Sequence, residues 1–332
     1  MCKRKKKTMK KLSKIIGIAF LSLSIFSCSS DSDSQPTIVD IASDNADFSI
    51  LVRALERTNL VSTLDGSGQF TVFAPTNTAF QTFFGALGAN VTVENVDATV
   101  LKSILLNHVI GIELKSSALP AATYASTLSP INTSANTPTI SMFVQKSGST
   151  VTINGGVDSK GAIVTAADLD ASNGVIHVVN RVIQIPTLVD HVLDNPDFDE
   201  LQTAVTSPDQ AAVLAALSGL TASAPATLFA PNNAALAAAT GTGGFGNGAT
   251  AAQITKVLQY HVTTAGNVRS SQLTNNQVVP MFTDPVLNVT IILGTGTVDI
   301  KDTQNILSRV FQADIQASNG VIHGVNKVLR PF

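Results

Sequence analysis

Two matching stretches of apolar residues organise the chain. The segment ASNGVIHVVNRVI at 171–183 returns as ASNGVIHGVNKVL at 317–329, with 10 of 13 positions identical. In each segment both faces of the extended chain are apolar apart from one histidine, a pattern typical of a strand inside a packed sheet. The repetition predicts two copies of one domain, each of which ends in its own core.

An Asn-Gly pair precedes each return strand, as Asn173-Gly174 and as Asn319-Gly320. This dipeptide readily adopts positive φ at both central residues of a tight turn, so each pair predicts a β-hairpin. The return strand of the first copy then begins at Val175, and that of the second copy begins at the matching valine. We expect all four Asn and Gly residues to have structural roles.

Each copy opens on a matched helical segment, PTIVDIASDN at 36–45 and PTLVDHVLDN at 186–195. The threonine in each segment is a suitable N-cap, and the aspartate three residues later lies in the first turn, where negative charge stabilises the exposed N–H groups. Apolar residues at helical spacing follow in both copies and predict further helix. The repeat places the domain boundary near Pro186.

The rest of each copy predicts a change from helix to strand. FTVFAPTNTAF at 70–80 and TLFAPNNAAL at 227–236 indicate strand, turn and helix, with Asn77 and Asn233 able to cap the helix. Another helical run follows at 96–109 and at the matching place in the second copy, before short Thr- and Val-rich segments. Helices followed by a sheet indicate an α+β domain.

These segments together resemble two fasciclin domains in tandem. The diagnostic pairs are TVFAPTNTAF with ASNGVIHVVNRVI, and TLFAPNNAAL with ASNGVIHGVNKVL. The resemblance covers residues 37–186 as the first domain and 187–332 as the second. It implies that each domain is a wedge-shaped β-sandwich with helices packed around it, and that the protein takes part in adhesion between cells or between cell and matrix. It does not imply one shared ligand.

The resemblance also provides candidate interaction residues. Fasciclin domains carry Tyr-His near the end of a helix, and Tyr260-His261 matches this pair, whereas the first copy has Asn107-His108. Tyr260-His261 lies just before the turn TTAG, where side chains can reach solvent. We therefore expect these residues to contact a partner and the second domain to dominate adhesion. The alternative is that both side chains fill the core beneath the helix.

Four of the five histidines occupy repeated positions, which the fold explains more easily than a site used once. His177 and His323 alternate with valines on the return strands, and we expect core imidazoles hydrogen-bonded to the backbone or to a side chain. His191 has no histidine counterpart, and we expect it at the surface. Asp168 and Asp314 recur before the hairpins as single carboxylates, which indicates a structural role rather than acid–base chemistry.

Several kinds of chemistry lack a motif in this sequence. There is no His-x-x-x-His or Glu-x-x-His pair, so a zinc site has no support. GTGGFG at 241–246 has the spacing of a dinucleotide loop, but it follows a helix rather than a strand. No Gly-x-Ser-x-Gly sequence marks a hydrolase nucleophile. We expect a protein that is not an enzyme and that requires no metal or other cofactor.

The N-terminal segment predicts export and lipid attachment. Basic residues precede the apolar run IIGIAFLSLSIF at 15–26. This run is too short to span a bilayer, so residues 1–27 resemble a cleaved signal peptide. The sequence IFSC ends at Cys28 and resembles a lipobox, and residues 28–36 form the lipidated start and a polar tether. We expect a lipid-anchored outer-membrane protein displayed at the cell surface; the alternative is the periplasmic face.

Removal of residues 1–27 changes the charge of the chain. The whole sequence has a formal net charge of −2, but 13 basic and 23 acidic residues remain after removal, a net charge of −10. Such a surface repels nucleic acid, and the membrane is reached through the lipid anchor only. We expect protein or polysaccharide matrix ligands.

Aromatic composition bears on one of the alternatives. The chain has no Trp and only two Tyr, which disfavours stacking on sugars but not hydrogen bonding to them. A glycan-binding accessory surface lipoprotein therefore remains the first alternative to an adhesion protein, and a hydrolase is the second.

Overall fold

The computed structural model describes residues 35–132, 137–242, 244 and 246–332. The predicted signal peptide at 1–27, the lipidation site Cys28 and the tether as far as residue 34 lie outside the described residues.

The first domain begins with helices and continues as a sheet. Its helices are α1 (Ile38–Asp44), α2 (Ser49–Arg57), α3 (Val61–Leu64), α4 (Asn77–Leu87) and α5 (Ala98–Asn107). Its strands are β1 (Phe70–Pro75), β2 (Val109–Ile110), β3 (Ala122–Pro130), β4 (Thr139–Ser147), β5 (Thr150–Ile153), β6 (Ala162–Ala171) and β7 (Gly174–Val179). The predicted α+β class is confirmed.

The strands of the first domain close into a barrel in the order β1 to β7. β1 and β7 run parallel, with Phe70 opposite Gly174 and Pro75 opposite Val179. The barrel also closes between β2 and β3, where Ile110 pairs with Thr127.

The second domain repeats this order of elements. Its helices are α6 (Leu188–Asp194), α7 (Asp199–Thr206), α8 (Ala211–Ser218), α9 (Asn233–Thr240) and α10 (Ala251–Gln259). Its strands are β8 (Ala226–Pro231), β9 (Val262–Thr263), β10 (Val278–Pro280), β11 (Asn288–Gly294), β12 (Thr297–Lys301), β13 (Leu307–Ala317) and β14 (Gly320–Val325).

The sheet of the second domain is open where that of the first is closed. Its strand order is β10-β11-β12-β13-β14-β8-β9, with β14 parallel to β8. In this described part of the chain β9 and β10 are the two ends of the sheet. They are joined by a hydrogen bond from Thr263 Oγ1 to Pro280 O at 2.6 Å and by one from Phe282 N, just after β10, to Val262 O at 2.7 Å, and no ladder forms between them. β10 is therefore an edge strand.

Two layers of apolar side chains fill each domain, because both faces of the return strand are apolar. On β7, Ile176 packs with Leu55 beneath the helices, whereas Val179 packs with Phe73 and Met142 inside the barrel. The second domain has the same two clusters. Removal of this apolar surface from water is the main driving force for each domain.

The predicted caps of the first helix in each domain are confirmed. Thr37 Oγ1 accepts a hydrogen bond from Asp40 N at 3.2 Å, and Asp40 Oδ2 accepts one from Thr37 N at 2.9 Å. Thr187 and Asp190 form the same capping box at the start of α6. Each box satisfies N–H groups that the helix itself leaves without partners.

The predicted caps of α4 and α9 are wrong by one residue. Thr76 and Asn232 are the N-caps, and Asn77 and Asn233 are already inside their helices. Each of these asparagines instead holds the start of an earlier helix: Asn77 Oδ1 accepts a hydrogen bond from Ile50 N in α2 at 2.9 Å, and Asn233 does the same for α7. Sequence spacing could not distinguish a local cap from this contact between helices.

The hairpin turns differ from the prediction in their central residues. Ala171 pairs with Gly174, so Ser172 and Asn173 are the turn residues and the return strand begins at Gly174. Gly174 has a φ of 145°, while the φ of Asn173 is not positive. A Cβ on Gly174 would lie 2.0 Å from Phe70 O. Glycine is required here because the parallel neighbour β1 approaches closely; Gly320, with a φ of 157°, repeats the arrangement.

The turn asparagine joins the hairpin to the helices. Asn173 Oδ1 accepts a hydrogen bond from Ile38 N at 3.0 Å, and its Nδ2 donates to Leu64 O at 2.7 Å. Beside it, Ser172 N donates to Pro36 O at 2.9 Å. The second domain repeats these contacts at its matching residues. Both hairpins therefore hold the first residues of their domain.

Candidate functional site

Tyr260, at the end of α10, is fully buried. Its hydroxyl donates to Asn288 O at 2.7 Å and accepts from Thr303 N at 3.2 Å. Burial raises the pKa of Tyr260 to about 12. The chain turns from α10 directly into β9, which directs this side chain into the cluster with Phe229 and Met281. The expectation that Tyr260 reaches solvent is wrong.

His261 and its counterpart His108 are buried in the same way. His261 Nδ1 lies 2.7 Å from Val257 O, and Nε2 accepts a hydrogen bond from Leu329 N at 2.9 Å. A carbonyl can only accept, so Nδ1 carries the proton and the ring is neutral. Burial lowers the pKa of both histidines to about 4. His108 bonds the backbone of Ile104 and of the segment after β7 with the same geometry.

Asn107 completes the set of four candidate interaction residues, and it too is fully buried. Its Nδ2 donates to Gln184 O at 3.3 Å, and in the sequence it corresponds to Tyr260 of the second domain. None of the four side chains is available to a partner, and the alternative of core packing beneath the helix describes their positions. A helix end does not reveal from sequence alone which way its last side chains point.

His177 and His323 each lie on the face of the return strand that points away from the helices, against a phenylalanine of the parallel neighbouring strand, and each holds a loop. His177 Nε2 lies 2.9 Å from Leu114 O, and Nδ1 accepts from Asp168 N at 3.2 Å. Asp168, whose φ is 60°, accepts hydrogen bonds from Ser116 N at 2.7 Å and from Ser116 Oγ at 2.5 Å. Burial would raise the pKa of Asp168, but the Ser116 hydrogen bonds outweigh it and lower the pKa.

The second domain contains the same arrangement. His323 Nε2 lies 2.9 Å from Val268 O, its Nδ1 accepts from Asp314 N at 3.3 Å, and both Asp314 oxygens accept from Ser270. Burial lowers the pKa of His323. Because the ring nitrogens and the carboxylates are bonded to the protein's own loop, this geometry offers neither a free base nor a paired acid.

His191 lies in the contact between the two domains, so the expectation of a surface position is wrong. It is fully buried, and burial lowers its pKa to about 4. The ring of Tyr124, from β3 of the first domain, meets it edge-on with centroids 5.5 Å apart. The Tyr124 hydroxyl accepts a hydrogen bond from Asn195 at 3.2 Å. The polar face of α6 is covered because the first domain packs on it.

Further polar contacts join the domains around His191. Lys160 Nζ donates to Asp190 Oδ2 at 2.9 Å, and Gln316 N in β13 donates to Ser141 Oγ in β4 at 2.9 Å. Asp194 is 7% exposed, and its burial raises its pKa to about 6 despite a hydrogen bond from Ser159. The residues that form these contacts between the domains are far apart in the sequence, and no sequence motif predicts the contacts.

Exposed apolar side chains lie on the edge strand of the second domain and on the loop that follows it. Val278 is 60%, Phe282 43% and Val286 64% exposed. Hydrogen bonds from Met281 N to Leu287 O and from Leu287 N to Thr283 Oγ1 hold the loop in place. We call Val278, Phe282 and Val286 the apolar edge. Sequence reasoning missed it because three apolar residues in a Pro-rich loop resemble core.

Residues 35–332, apart from 133–136, 243 and 245, show neither a cluster of metal ligands nor a membrane-spanning helix. In this region no group of three or more His, Cys, Asp and Glu residues is placed to hold a metal ion. None of the helices in the same region has the length and apolar character needed to cross a bilayer.

Both halves of this chain match one known domain family. The fasciclin domain profile matches residues 46–186 and 196–331. Protein sll1483 of Synechocystis sp. is 38% identical over 155 residues, which cover 46% of this chain and 76% of that protein. Transforming growth factor-beta-induced protein ig-h3 of Sus scrofa is 34% identical over 151 residues, 45% of this chain and 19% of that protein. A solved FAS1 domain pair from the insect cell adhesion molecule fasciclin I has a TM-score of 0.47 and 18% identity, and the match covers 83% of this chain and 92% of that chain.

Proposed function

Because the chain belongs to the fasciclin domain family and contains two fasciclin domains in tandem, we propose that it is a non-catalytic adhesion protein of the cell surface. Fasciclin domains are associated with cell adhesion and interaction. For this chain the observation that carries the proposal is the apolar edge, which lies on the edge strand β10 of the second domain and on the loop after it.

The apolar edge has the properties of a protein contact. Its three exposed apolar side chains lie within residues 278–286, and an aromatic side chain such as Phe282 is a frequent anchor in interfaces. β10 is also an edge strand, whose outward backbone groups another chain can pair with, although Pro280 has no N–H and its carbonyl already accepts a hydrogen bond from Thr263 Oγ1 at 2.6 Å. Since the chain without residues 1–27 has a net charge of −10, the partner is a protein with an apolar patch in neutral or basic surroundings.

The interior polar groups support the non-catalytic part of the proposal. The rings of His108, His177, His261 and His323 each bond backbone groups through both nitrogens. General acid–base catalysis requires a group that can reach a substrate proton, and these rings are committed to the protein.

The proposal includes a lipid anchor at Cys28 in the outer membrane. After removal of residues 1–27, Cys28 is the one cysteine left in the sequence. Stable anchoring needs more than one acyl chain, and the resemblance of IFSC to a lipobox implies that number. Such an anchor would display both domains at the surface beyond the polar tether.

An array of matrix proteins and glycans, probed with the purified chain, tests the function. Phe282→Ser with Val286→Ser should lower binding to protein spots by about tenfold, because the anchor and its neighbour are lost. Val157→Ser is the matched control, since Val157 is a 41% exposed valine on the first domain. Binding to glycan spots alone, or unchanged binding by the folded double variant, would overturn the proposal.

A further inference from the structure

A cavity of about 410 Å³ opens between α7, α9 and α10 of the second domain. This volume lies within the range of small-molecule sites, about 300–1,000 Å³. Its lining is mainly apolar and includes Ala204, Leu236, Ala239, Ile254, Val257 and Val328.

The first domain fills the same place with its own side chains. FAPTNTAFQTFF at 73–84 and FAPNNAALAAAT at 229–240 align without a gap, which sets Phe83 against Ala239 and Phe84 against Thr240. The Phe83 and Phe84 rings lie 5.5 Å apart and belong to the core of the first domain. The second domain has a cavity because its helix carries small residues in place of two phenyl rings.

The absence of the two phenyl rings leaves α10 more exposed to solvent than its counterpart α5. Leu101 of α5 is 0% exposed beneath the phenylalanines. Its counterpart in α10, Ile254, is 37% exposed and lines the cavity. Leaving an apolar wall open to water has a cost in free energy, which an apolar occupant would remove.

The polar groups of the cavity define the charge of an occupant. Asp209 is the one ionisable side chain among the lining residues. Gln210 forms part of the wall, but its amide is used internally, since Nε2 donates to Ala251 O at 3.1 Å and Oε1 accepts from Thr255 Oγ1 at 2.7 Å. A carboxylate at the cavity repels an anionic ligand and attracts a cationic one.

We propose that this cavity is a binding site for a small aromatic molecule, neutral or cationic, that occupies the place of the two phenyl rings of the first domain. A dry apolar cavity of about 150 Å³ is large enough to bind benzene, so a phenyl group with a short substituent fits here. The site is separate from the apolar edge and does not depend on the adhesive function.

Calorimetric titration of the purified chain with 2-phenylethanol, 2-phenylethylamine and 3-phenylpropanoate tests the site. We expect saturable binding of the alcohol and the amine at one site per chain, and weaker binding of the anion. Ala239→Phe with Thr240→Phe should weaken binding by about tenfold or more, because the rings of the first domain then fill the cavity. Asp209→Asn should strengthen binding of 3-phenylpropanoate.

The matched control is Ala237→Phe, which adds the same ring at an exposed position of α9 that does not line the cavity. This variant should bind the amine as the unmodified chain does. If the double variant does not fold, Ala239→Leu replaces it with the same expectation. Absence of saturable binding, binding that survives filling of the cavity, or equal affinity for the amine and the anion would overturn the proposal.

Discussion

Replacement of Asp194 by asparagine should change how stability depends on pH. Asp194 lies in the contact between the domains, and burial raises its pKa from 3.8 to about 6. The folded chain therefore binds a proton more tightly than the unfolded chain. Stability contributed by the protonated carboxyl is present below pH 4 and is lost as pH rises towards 6, because the buried charge is then unfavourable.

The magnitude follows from the shift in pKa. A rise from 3.8 to about 6 corresponds to about 3 kcal/mol, at about 1.36 kcal/mol for each pH unit. Asparagine cannot ionise, so the free energy of unfolding of Asp194→Asn minus that of the unmodified chain should increase by about 2 kcal/mol between pH 4 and pH 7, because the unfolded carboxyl is already partly ionised at pH 4. Any effect of the new amide on the free energy of unfolding that does not depend on pH is the same at pH 4 and at pH 7, so it cancels from this increase.

Urea unfolding followed by circular dichroism at intervals between pH 4 and pH 7.5 measures both free energies. Asp44→Asn is the matched control, since it makes the same substitution at the exposed counterpart in α1, and the increase for Asp194→Asn should exceed that of this control. If the Asp194→Asn difference is constant within about 0.5 kcal/mol, burial does not control this carboxyl and the reasoning is refuted.

Three further predictions concern the anchor, the independence of the domains and their cores. Cys28→Ala should leave the protein uncleaved or move it to the soluble fraction, and processed protein that still sediments with membranes would contradict the lipid anchor. A fragment of residues 36–186 should unfold cooperatively, with a midpoint that a chelator does not change; a molten fragment would show that the domains share one core. His323→Ala should cost about 1–3 kcal/mol by leaving Asp314 N without its partner, while Tyr260→Phe should cost about 1–2 kcal/mol and leave array binding unchanged; thermal unfolding and the array together decide both.

Sequence reasoning identified the features that depend on local order. The capping box at Thr37 and the two apolar faces of β7 follow from the spacing of a few neighbouring residues. Each of these sequence patterns occurs twice, once in each copy. The domain family follows from the same repeated segments. These parts of the fold could be predicted because their physical cause lies within one element.

The features that sequence reasoning missed depend on residues distant in the chain. Gly174 is fixed by the approach of β1, about a hundred residues earlier, rather than by turn preference. His191 is covered by Tyr124 of the other domain, and Tyr260 points inward because the chain re-enters the sheet after α10. The cavity beside Ala239 could have been found by aligning the two copies and comparing side-chain size, which is a signal that the sequence does contain.

The hydrogen bonds that the hairpin turn makes to Pro36 and Ile38 have a mechanical consequence. Under the proposed lipid anchor at Cys28, the chain would carry tension between the membrane and a bound partner. Force applied on the N-terminal side of Pro36 acts first on the bond to Ser172, and then on α1 through the side chain of Asn173. The short α1 would detach before the parallel pair of β1 and β7 is loaded, so it can extend under a brief pull while the barrel stays intact.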